Sequence, residues 1–577
     1  MSKDKNKEGS DKAALDRLLE NYYQENLKLF PLTATSIGDN RYNDYWPNYI
    51  SQSVMYDLKM YHQKYKDELS KINRENLSEK DKLNYDVIEW ECEMGLEGLK
   101  FKDYLMPINQ INSQHLFVPQ MADGSSTQPF VTVKDYENWL KRLNQYLDWC
   151  DSVIVNMKIG MAQGIILPKI LAEKTIPQFE EFASGPAESH SFYKPIVNMP
   201  KDFAEADKQR LAKDYKDIIE KRLIPTYQKI VRFLKDEYVP SCRETAGVGD
   251  TPLGKEYYAY CVKLNTTTNM TPDEIFEVGQ NEVERITKEM EKVKNEVGFK
   301  GSLIEFFEYV KNKKELMPFS KPEQVLENFE KLRDKITPEL NKLFSREPKV
   351  KMEIKRMPVF IEDSYPAYYT PGSFDGSRPG TFYVPIPDVT KYNVSTDAVL
   401  FVHEGIPGHH YQGDWQMSDT SLPAIRQLVW YVGMGEGWAL YAEALGKQLG
   451  LYKDPYQYLG LLSFDMLRAT RLVVDVGLHV KGWTHDRAVK YLEERLPFSK
   501  VVLESSVERY MGNPGQALGY KIGQLKILEL REIARKELGA KFNIVEFHEQ
   551  VLSAGCVPLK VLENKINNWI ESEKKSN

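Results

Sequence analysis

Three of the chain's nine histidines fall within eight residues, directly after a run of five apolar residues. In this stretch, residues 398–412, Glu404 immediately follows the first histidine, His403. A histidine and a glutamate on a helix, with a second histidine further along, is how zincins hold a metal ion and its water. The imidazoles are ligands, and the carboxylate takes a proton from the water. The apolar run indicates that a helix from the protein core leads into such a site.

The spacing of the two histidines differs from the usual His-Glu-x-x-His. His403 and His409 are six residues apart, which is about 9 Å along a straight helix and about 240° around it, so one ion could not bind both. Pro407 interrupts the helical hydrogen bonds, and the two nearby glycines tolerate irregular dihedral angles. The sequence therefore predicts a bulge that brings His409 to the same ion. His410 would then point towards the substrate or towards a residue that supports the site.

A candidate third ligand, Glu436, comes 33 residues after His403. A catalytic zinc site has three protein ligands and leaves the fourth position to water. Glu443 lies seven residues further along, about 10 Å on a helix, so one ion can bind only one of the two glutamates. We expect Glu436 to bind the metal and Glu443 to orient a ligating histidine. This set favours a metal site over a buried helix whose histidines form ordinary hydrogen bonds in the core.

The motifs His403-Glu404-x-x-Pro-Gly-His409 and Glu436-Gly-Trp-Ala-Leu-Tyr-Ala-Glu443 resemble the bacterial family known as domain of unknown function 885, which is similar to gluzincin metallopeptidases. The resemblance implies a mainly α, large, zincin-like peptidase with a deep cleft. It also implies one Zn²⁺ per chain on His403, His409 and Glu436, with Glu404 as the general base. Further stretches carry the resemblance: residues 31–38, 375–384, 471–479, 515–523 and 547–569.

Polar residues on the later predicted helices are candidates for substrate binding and catalysis. Arg471, Asp475 and His479 are spaced i, i+4 on one stripe of an otherwise apolar helix over residues 463–485. The stripe is either an internal salt-bridge network or part of a cleft. In the second case Arg471 binds a substrate carboxylate, His479 bonds to the tetrahedral intermediate, and Asp475 supports the site. Tyr520, at the start of a helix that runs to residue 538, is either a core aromatic or an oxyanion stabiliser.

The residue pattern changes near position 350 and predicts a small β-sheet beside the helix of His403. Residues 349–362 contain short alternations of Val, Ile and Met, and residues 380–386 form a β-like run that ends in prolines, which is typical of an edge strand. This edge either pairs with an extended peptide substrate or belongs to an ordinary structural hairpin. The predicted substrate-binding residues are Arg471, His410, Lys521, Arg378 and Tyr383.

Helical periodicity dominates the first part of the chain. Residues 271–274 form a capping box with proline at the first helical position. We expect a flexible polar leader at 1–10, a helical N-terminal lobe at 11–345 and a catalytic lobe at 346–577. The catalytic lobe contains the small sheet, the metal-binding helices and the C-terminal helices. Helices are predicted over residues 11–29, 53–69, 78–99, 133–157, 202–238, 271–297 and 321–344, with loops such as 107–129 between them.

Composition excludes several classes of protein. The 577 residues are 28% charged with a net charge of −7, which indicates a soluble acidic protein without the basic surface that nucleic acid requires. There is no run of 18 apolar residues, so no transmembrane helix is expected. Five scattered cysteines suggest free thiols, although a bridge between Cys242 and Cys261 stays open. The sequence does not indicate an oligomeric state.

The polar N-terminus fits two locations. Residues 1–10 lack the apolar segment of a signal peptide. The chain is therefore either a cytoplasmic protein with a frayed terminus or a periplasmic protein of the cell envelope. In the second case Met1 replaces a removed signal and its lipidated cysteine, as expected from a family in which many members resemble exported lipoproteins.

These features predict a zinc metallopeptidase that hydrolyses peptide or related amide bonds. Zn²⁺ lowers the pKa of its water, Glu404 takes the proton and passes it to the leaving nitrogen, and Tyr520 or His479 stabilises the oxyanion. One alternative is a metal-dead peptide-binding protein of the cell envelope, but such a protein has no need of the base. Another is a hydrolase of a non-peptide amide or ester. The sequence does not distinguish an exopeptidase from an endopeptidase.

Overall fold

Helices account for most of the molecule because apolar residues recur at helical spacing and capping residues precede many of the helices. The computed structural model describes residues 2–359, 362, 366–372 and 378–575. It is 69% helix and 3% strand, which confirms a mainly helical chain with a small sheet. The predicted capping box is present, since Thr271 and Glu274 each accept from the other's backbone amide.

The N-terminal part of the chain consists mainly of helices. Where a residue such as Thr132 or Ser302 precedes a helix, its side chain accepts a backbone hydrogen bond from the first turn. They are α1 (Ser2–Leu29), α2 (Pro31–Ser36), α3 (Gln52–Leu69), α4 (Glu79–Gly98), α5 (Gln114–Ala122), α6 (Val133–Gln163), α7 (Lys169–Glu180), α8 (Lys194–Val197), α9 (Glu205–Ile218), α10 (Ile224–Phe233), α11 (Gly254–Thr266), α12 (Pro272–Glu296), α13 (Leu303–Lys311) and α14 (Pro322–Ile336).

The helices of the C-terminal part include those that carry the candidate site. They are α15 (Asp397–Glu404), α16 (His409–Ser418), α17 (Ala424–Leu428), α18 (Val432–Leu445), α19 (Pro455–His479), α20 (His485–Glu493), α21 (Lys500–Gly512), α22 (Leu518–Leu538), α23 (Ile544–Leu552) and α24 (Leu559–Lys575).

The first helix begins earlier than the sequence predicted. Residues 2–10, expected to be a flexible leader, continue α1 towards the N-terminus. Lysine and glutamate are good helix formers, so a polar composition does not by itself end a helix. Pro31 follows the end of α1 and occupies the first position of α2, where its missing amide hydrogen costs nothing.

Two other segments, both of which contain prolines, have a secondary structure that differs from the predicted one. The loop predicted over 107–129 contains a helix, α5, which includes Pro119. The helix predicted over 202–238 is α9 and α10 joined by a π-helical turn, Ile219–Leu223, which precedes Pro225 at the start of α10. The extra residue in a π turn adjusts the chain to a proline whose amide cannot donate.

The small sheet has three strands, β1 (Met352–Arg356), β2 (Tyr368–Thr370) and β3 (Gly380–Val384), in the order β1-β3-β2. Strand β3 is parallel to β1 and antiparallel to β2. The prediction of an edge strand at β3 is therefore wrong, because β3 is central. The prolines flank β3 and do not interrupt it, so β3 can form hydrogen bonds with a strand on each side. The strands left at the edges are β1 and β2.

The largest core cluster joins this sheet to the helices of the candidate site. It includes Phe329 of α14, Phe382 of β3, Phe401 of α15, Trp438 of α18 and Phe547 of α23, all of them buried. A second cluster lies within residues 46–238. The two lobes, the boundary at residue 345 and the deep cleft stay predictions.

Two other expectations concern the chain as a whole. In the part of the chain that the structure describes, no helix combines the length and the apolar character needed to cross a membrane. All five cysteines are free, so the bridge between Cys242 and Cys261 is not formed.

Candidate metal centre

Helix α15 ends at Glu404 because the residues that follow leave the helical path. The backbone at Gly408 packs against the last turn of α15. A Cβ atom there would lie 2.0 Å from the carbonyl oxygen of His403. With no side chain at this position, the chain turns back over the helix end and His409 begins α16. The predicted bulge within one helix is therefore wrong, since two helices joined by a tight turn bring the histidines together.

Helix α18 is held against this turn from one side and against α22 from the other. Trp438 Nε1 donates a hydrogen bond of 2.8 Å to the carbonyl oxygen of Pro407. On the other side, a Cβ atom on Gly437 would lie 2.5 Å from the Cα atom of Gly523. These contacts fix the position of Glu436, which lies between Gly437 and Gly435 on the first turns of α18.

Three side chains converge where α15, α16 and α18 meet. The ligand atoms of His403, His409 and Glu436 all lie within 4.8 Å of one another. Glu436 Oε2 is 3.6 Å from His403 Nε2 and 3.4 Å from His409 Nε2. The two imidazole rings are nearly perpendicular, at 83°. Glu436 Oε2 is buried and has no hydrogen-bond partner among the described residues. Two imidazole nitrogens and a carboxylate oxygen in this arrangement match the donors of a catalytic zinc site.

The buried carboxylate of Glu443 contacts the Nδ1 atom of the His403 ring. Glu443 Oε1 lies 2.8 Å from His403 Nδ1, and Arg468 Nη2 lies 3.3 Å from the same oxygen. When Nδ1 carries the proton and donates it to Glu443, the lone pair of Nε2 faces Glu436 and is free to bind a metal. Glu443 thus has the geometry of a group that orients a ligand.

The electrostatics of the centre favour a bound cation. Burial disfavours the charged form of His403, but contacts with Glu436 and Glu443 outweigh it and raise the pKa of His403 to about 9. Burial would likewise raise the pKa of Glu436, yet the two histidines hold it well below its usual value. The centre therefore attracts positive charge, which a proton supplies in the metal-free chain and a metal ion would supply in its place.

Glu404 adjoins the three converging side chains without being one of them. It is 8% exposed, and its Oε1 atom is 3.9 Å from His403 Nε2. Burial raises its pKa, while the charges of His403 and His409 oppose the shift. A carboxyl group with a raised pKa next to a metal site is suited to take up a proton and pass it on.

Arg471 and Tyr520 lie together beside the centre. The guanidinium carbon of Arg471 is 4.5 Å from the centroid of the Tyr520 ring. Burial opposes the charge of Arg471, whereas Tyr510, Tyr520 and Glu436 favour it, and the net effect raises its pKa. Tyr520 is three residues before Gly523, which touches the residue next to Glu436. Tyr520 is therefore about one helical turn along α22 from the point at which α22 touches α18.

Two predicted site residues on α19 have other roles. Both ring nitrogens of His479 are engaged, because the Val248 amide donates to Nδ1 and Nε2 donates to the Tyr510 carbonyl oxygen, each over 3.0 Å. Asp475 accepts hydrogen bonds from Tyr258 Oη at 2.6 Å and from the Gly515 amide at 3.1 Å. His479 would have to give up one of these partners to contact a reaction intermediate, and Asp475 bonds to segments next to α19.

His410 and Lys521 are also fully engaged elsewhere. His410 lies 2.9 Å from Tyr369 Oη through Nδ1 and donates through Nε2 to the carbonyl oxygen of Val350, so it ties α16 to the sheet. Lys521, 1% exposed, forms ion pairs of 2.6 and 2.8 Å with acidic residues on α19 and α12. Neither side chain can reach a substrate without losing these partners, and their contact with a substrate stays a prediction.

The two residues predicted near the sheet occupy different surroundings. Arg378 is exposed, and residues 375–377, which precede it in the motif 375–384, lie outside the described residues. Tyr383 of β3 stacks on Tyr368 of β2 with ring centroids 5.0 Å apart. Their contact with a substrate stays a prediction.

Sequence reasoning missed two residues at the centre. Arg468 lies three residues before Arg471, and extending the polar stripe of α19 by one turn would have found it. Trp430 is 51% exposed, and its ring centroid is 5.9 Å from that of His409. No periodic signal marks an exposed tryptophan in a connection between helices, so only the packing reveals that it flanks the open side of the centre.

Comparisons with other proteins agree with the motifs. The sequence model of one family, described as bacterial protein of unknown function (DUF885), matches residues 31–566. No curated protein matches the chain. The crystal structure of a candidate lipoprotein from Colwellia psychrerythraea is 28% identical with a TM-score of 0.87, over 97% of this chain and 99% of that one. A candidate lipoprotein of unknown function from Shewanella oneidensis is 17% identical, with a TM-score of 0.78 over 95% and 99%, and shows the same fold.

Proposed function

This chain belongs to the DUF885 family of bacterial proteins, and we propose that it is a zinc metallopeptidase of the gluzincin type that hydrolyses peptide or related amide bonds. The observation that carries the proposal is the convergence of His403, His409 and Glu436 beside Glu404. The Oε2 atom of Glu436 supports it, because this buried atom faces the two histidine nitrogens without forming a hydrogen bond, and buried carboxylate oxygens normally have a hydrogen-bond or metal partner. The donor set fits one zinc ion with an open coordination position.

A bound zinc ion would polarise the scissile carbonyl group and lower the pKa of a water molecule at the site. Glu404 is placed to take a proton from that water and to deliver it to the leaving nitrogen. Arg509 donates to Tyr520 Oη over 3.3 Å, which leaves the phenol proton free to bond to a developing oxyanion. Glu443 keeps the His403 ring in the orientation that presents Nε2.

The presence of Glu404 argues against a protein that only binds peptides. A binding protein could use the same three metal ligands, but it would have no use for a buried carboxylate such as Glu404 next to them. Burying a carboxylate without a strong partner is unfavourable, so its presence is better explained by catalysis. We propose a peptide as the substrate because no feature of the centre favours a non-peptide amide or ester.

The relatives also suggest a location. Both solved relatives are described as candidate lipoproteins, and we extend this assignment to the present chain as a protein held at the cell envelope by a lipid anchor. Incorporation of labelled fatty acid into the product of the natural gene would support the anchor. Recovery of an unlabelled product in the cytoplasmic fraction would contradict it.

The test of the proposed function separates the base from the ligands. Purified chain is expected to contain about one zinc ion, and His403→Ala is expected to lose it with the fold retained. Glu404→Gln should keep the zinc but hydrolyse peptides more slowly by a factor of roughly hundreds or more. Elemental analysis gives the metal content, and mass spectrometry of a digested peptide library gives the rates.

A matched control is Glu284→Gln on the exposed surface of α12, where side-chain exposure is 67%. This variant should keep both zinc and activity. Full activity in Glu404→Gln would show that another base or another reaction operates. A full zinc content in His403→Ala would show that the ligands are assigned wrongly.

A further inference from the structure

Arg471 is a buried arginine with no carboxylate within ion-pair distance in the described part of the chain. It is 8% exposed, its Nη1 atom is buried without a hydrogen-bond partner, and its Nε atom is 3.4 Å from Tyr510 Oη. Buried arginines are normally paired or fully hydrogen-bonded, since an unpaired buried charge is unfavourable. One buried polar group of Arg471 is therefore left for a partner from outside the chain.

Among the described residues, the other buried cations have more hydrogen-bond or ion-pair partners than Arg471 has. Arg142 also lacks a carboxylate, but its guanidinium group donates five hydrogen bonds to backbone and side-chain oxygens. Arg468 has Glu443, and Lys521 has two acidic partners. Arg426 also has an unpartnered Nε atom and no carboxylate within ion-pair distance, but its two terminal nitrogens donate to Asn84 and to the Ala554 carbonyl oxygen. Arg471 differs because Tyr510 is its single hydrogen-bond partner among the described residues.

A second arginine, Arg509, contacts the same tyrosine, Tyr520, as Arg471 does. Arg509 of α21 contacts Gln516 Oε1 at 2.6 Å and Tyr520 Oη at 3.3 Å, and no described carboxylate lies within ion-pair distance of it. Arg471 covers the face of the same Tyr520 ring, with the guanidinium carbon 4.5 Å from its centroid. Two cations without a carboxylate at ion-pair distance therefore contact one tyrosine, which lies about one helical turn along α22 from the contact of Gly523 with α18.

We propose that Arg471, assisted by Arg509 and Tyr520, binds the C-terminal carboxylate of the substrate, so that the protein is a peptidase that acts at the carboxyl end of peptides. This inference rests on the proposed function and names its substrate class. A guanidinium group matches a carboxylate through two parallel hydrogen bonds. Because Arg471 is almost fully enclosed, the site accepts the end of a chain and not a chain that continues past it.

The reaction is ordinary hydrolysis and needs no further reactant. The peptide C–N bond breaks, the oxygen of one water molecule joins the acyl carbon, and a proton of that water passes through Glu404 to the released nitrogen. The anchored carboxylate leaves with the released fragment and keeps its charge throughout.

The test compares N-acetylated peptides that have a free C-terminal carboxylate with the same peptides as C-terminal amides. With zinc-loaded protein we expect kcat/KM for the free acids to be higher by about 10- to 100-fold, the range of charge-assisted hydrogen bonds. Arg471→Met should remove this preference, and Arg471→Lys should keep part of it because the charge remains. Arg487→Met is the control, since Arg487 is exposed and stacks on Trp483 in the same way, at 4.4 Å.

Equal cleavage of acids and amides by the unaltered chain would overturn the carboxylate site and leave the peptidase proposal standing. An equal loss of both activities in a folded Arg471→Met would overturn it too. Cleavage beside internal Asp or Glu in amidated peptides would show that a side-chain carboxylate occupies the site, which also contradicts the C-terminal assignment.

Binding to the metal-free chain provides a readout that does not depend on hydrolysis. In equilibrium dialysis the free-acid peptides should bind about 10-fold more tightly than the amides, and Arg471→Met should bind both alike. If the zinc-loaded chain cleaves neither set, the proposed function fails. The carboxylate site then stands if the binding difference is found and is rejected if it is not.

Discussion

Glu436 and Glu443 are two turns apart on α18 and have different neighbours. Glu436 Oε2 faces both candidate metal-binding histidines and has no hydrogen-bond partner among the described residues. Glu443 is shared between His403 Nδ1 and Arg468. A carboxylate without a partner is available to a metal, whereas one that already accepts two charge-assisted contacts is suited to orienting a ligand.

Removing each glutamate should therefore have a different effect on zinc. We expect Glu436→Ala to abolish zinc binding, since it removes one of three ligands. Glu443→Ala should weaken zinc binding by about 10- to 100-fold, the usual scale for losing a group that orients a ligand. Titration of both metal-free variants with zinc measures the two affinities. The reverse order would exchange the roles of the two residues.

At the scale of secondary-structure elements, the candidate site depends on how closely α18 and α22 approach each other. A Cβ atom on Gly523 would lie 1.8 Å from the carbonyl oxygen of Gly433, and one on Gly437 would lie 2.5 Å from the Cα atom of Gly523. Backbone atoms cannot move aside as a flexible side chain can. This crossing thus places the start of α22, which carries Tyr520, next to the turns of α18 that carry Glu436.

A single methyl group at the crossing should disturb both stability and the site. We expect Gly437→Ala to lower the free energy of unfolding by about 1–3 kcal/mol, the usual cost of overpacking, and to weaken zinc binding through the adjacent Glu436. The control is Gly413→Ala on α16, where a Cβ atom would meet nothing within 4 Å. There alanine should raise the free energy of unfolding by about 0.5–1 kcal/mol.

Urea unfolding followed by circular dichroism measures both variants. A Gly437→Ala protein as stable as the Gly413→Ala protein would mean that the two helices can separate without loss. The close crossing would then not be what positions Tyr520 relative to Glu436.

At the scale of the whole molecule, buried carboxyl groups connect distant segments and make stability depend on pH. Asp475 of α19 bonds to Tyr258 of α11 and to the Gly515 amide before α22. Asp397 at the start of α15 bonds to Tyr392 and to Asn328 of α14. Burial raises the pKa of each carboxyl group from its usual value of 3.8 to about 7. The folded chain therefore holds both protons in a pH range in which the unfolded chain has released them.

The sign of the pH effect follows from this difference. The contribution of Asp475 to stability is fully present below pH 3.8 and is lost as the pH rises through about 7. In Asp475→Asn this loss is absent, so from pH 4 to pH 8 the variant should gain stability relative to the unaltered chain, by at most about 4 kcal/mol. Urea unfolding at several pH values measures the difference. Parallel pH profiles of the two proteins would contradict it.

Local sequence patterns determine most of the secondary structure of this protein and the identity of the three converging side chains. Helical periodicity and caps such as Thr271 predicted a mainly helical chain, and the Val, Ile and Met alternation predicted the small sheet. The motifs around His403 and Glu436 identified the three side chains whose ligand atoms converge. These predictions depend on residues that are close in sequence, and short-range sterics and hydrogen bonding set the outcome there.

Tertiary structure alone decided which polar side chains are free to act. Arg471 and His479 lie on one stripe of one helix, yet His479 is occupied by the Val248 amide and the Tyr510 carbonyl group, while Arg471 keeps an unpartnered nitrogen. The central position of β3 was likewise set by β1 and β2, which pair with it from either side. A residue's partners in these cases come from segments far away in the chain. No pattern within a single helix or strand contains that information, because it arises only when the segments pack together.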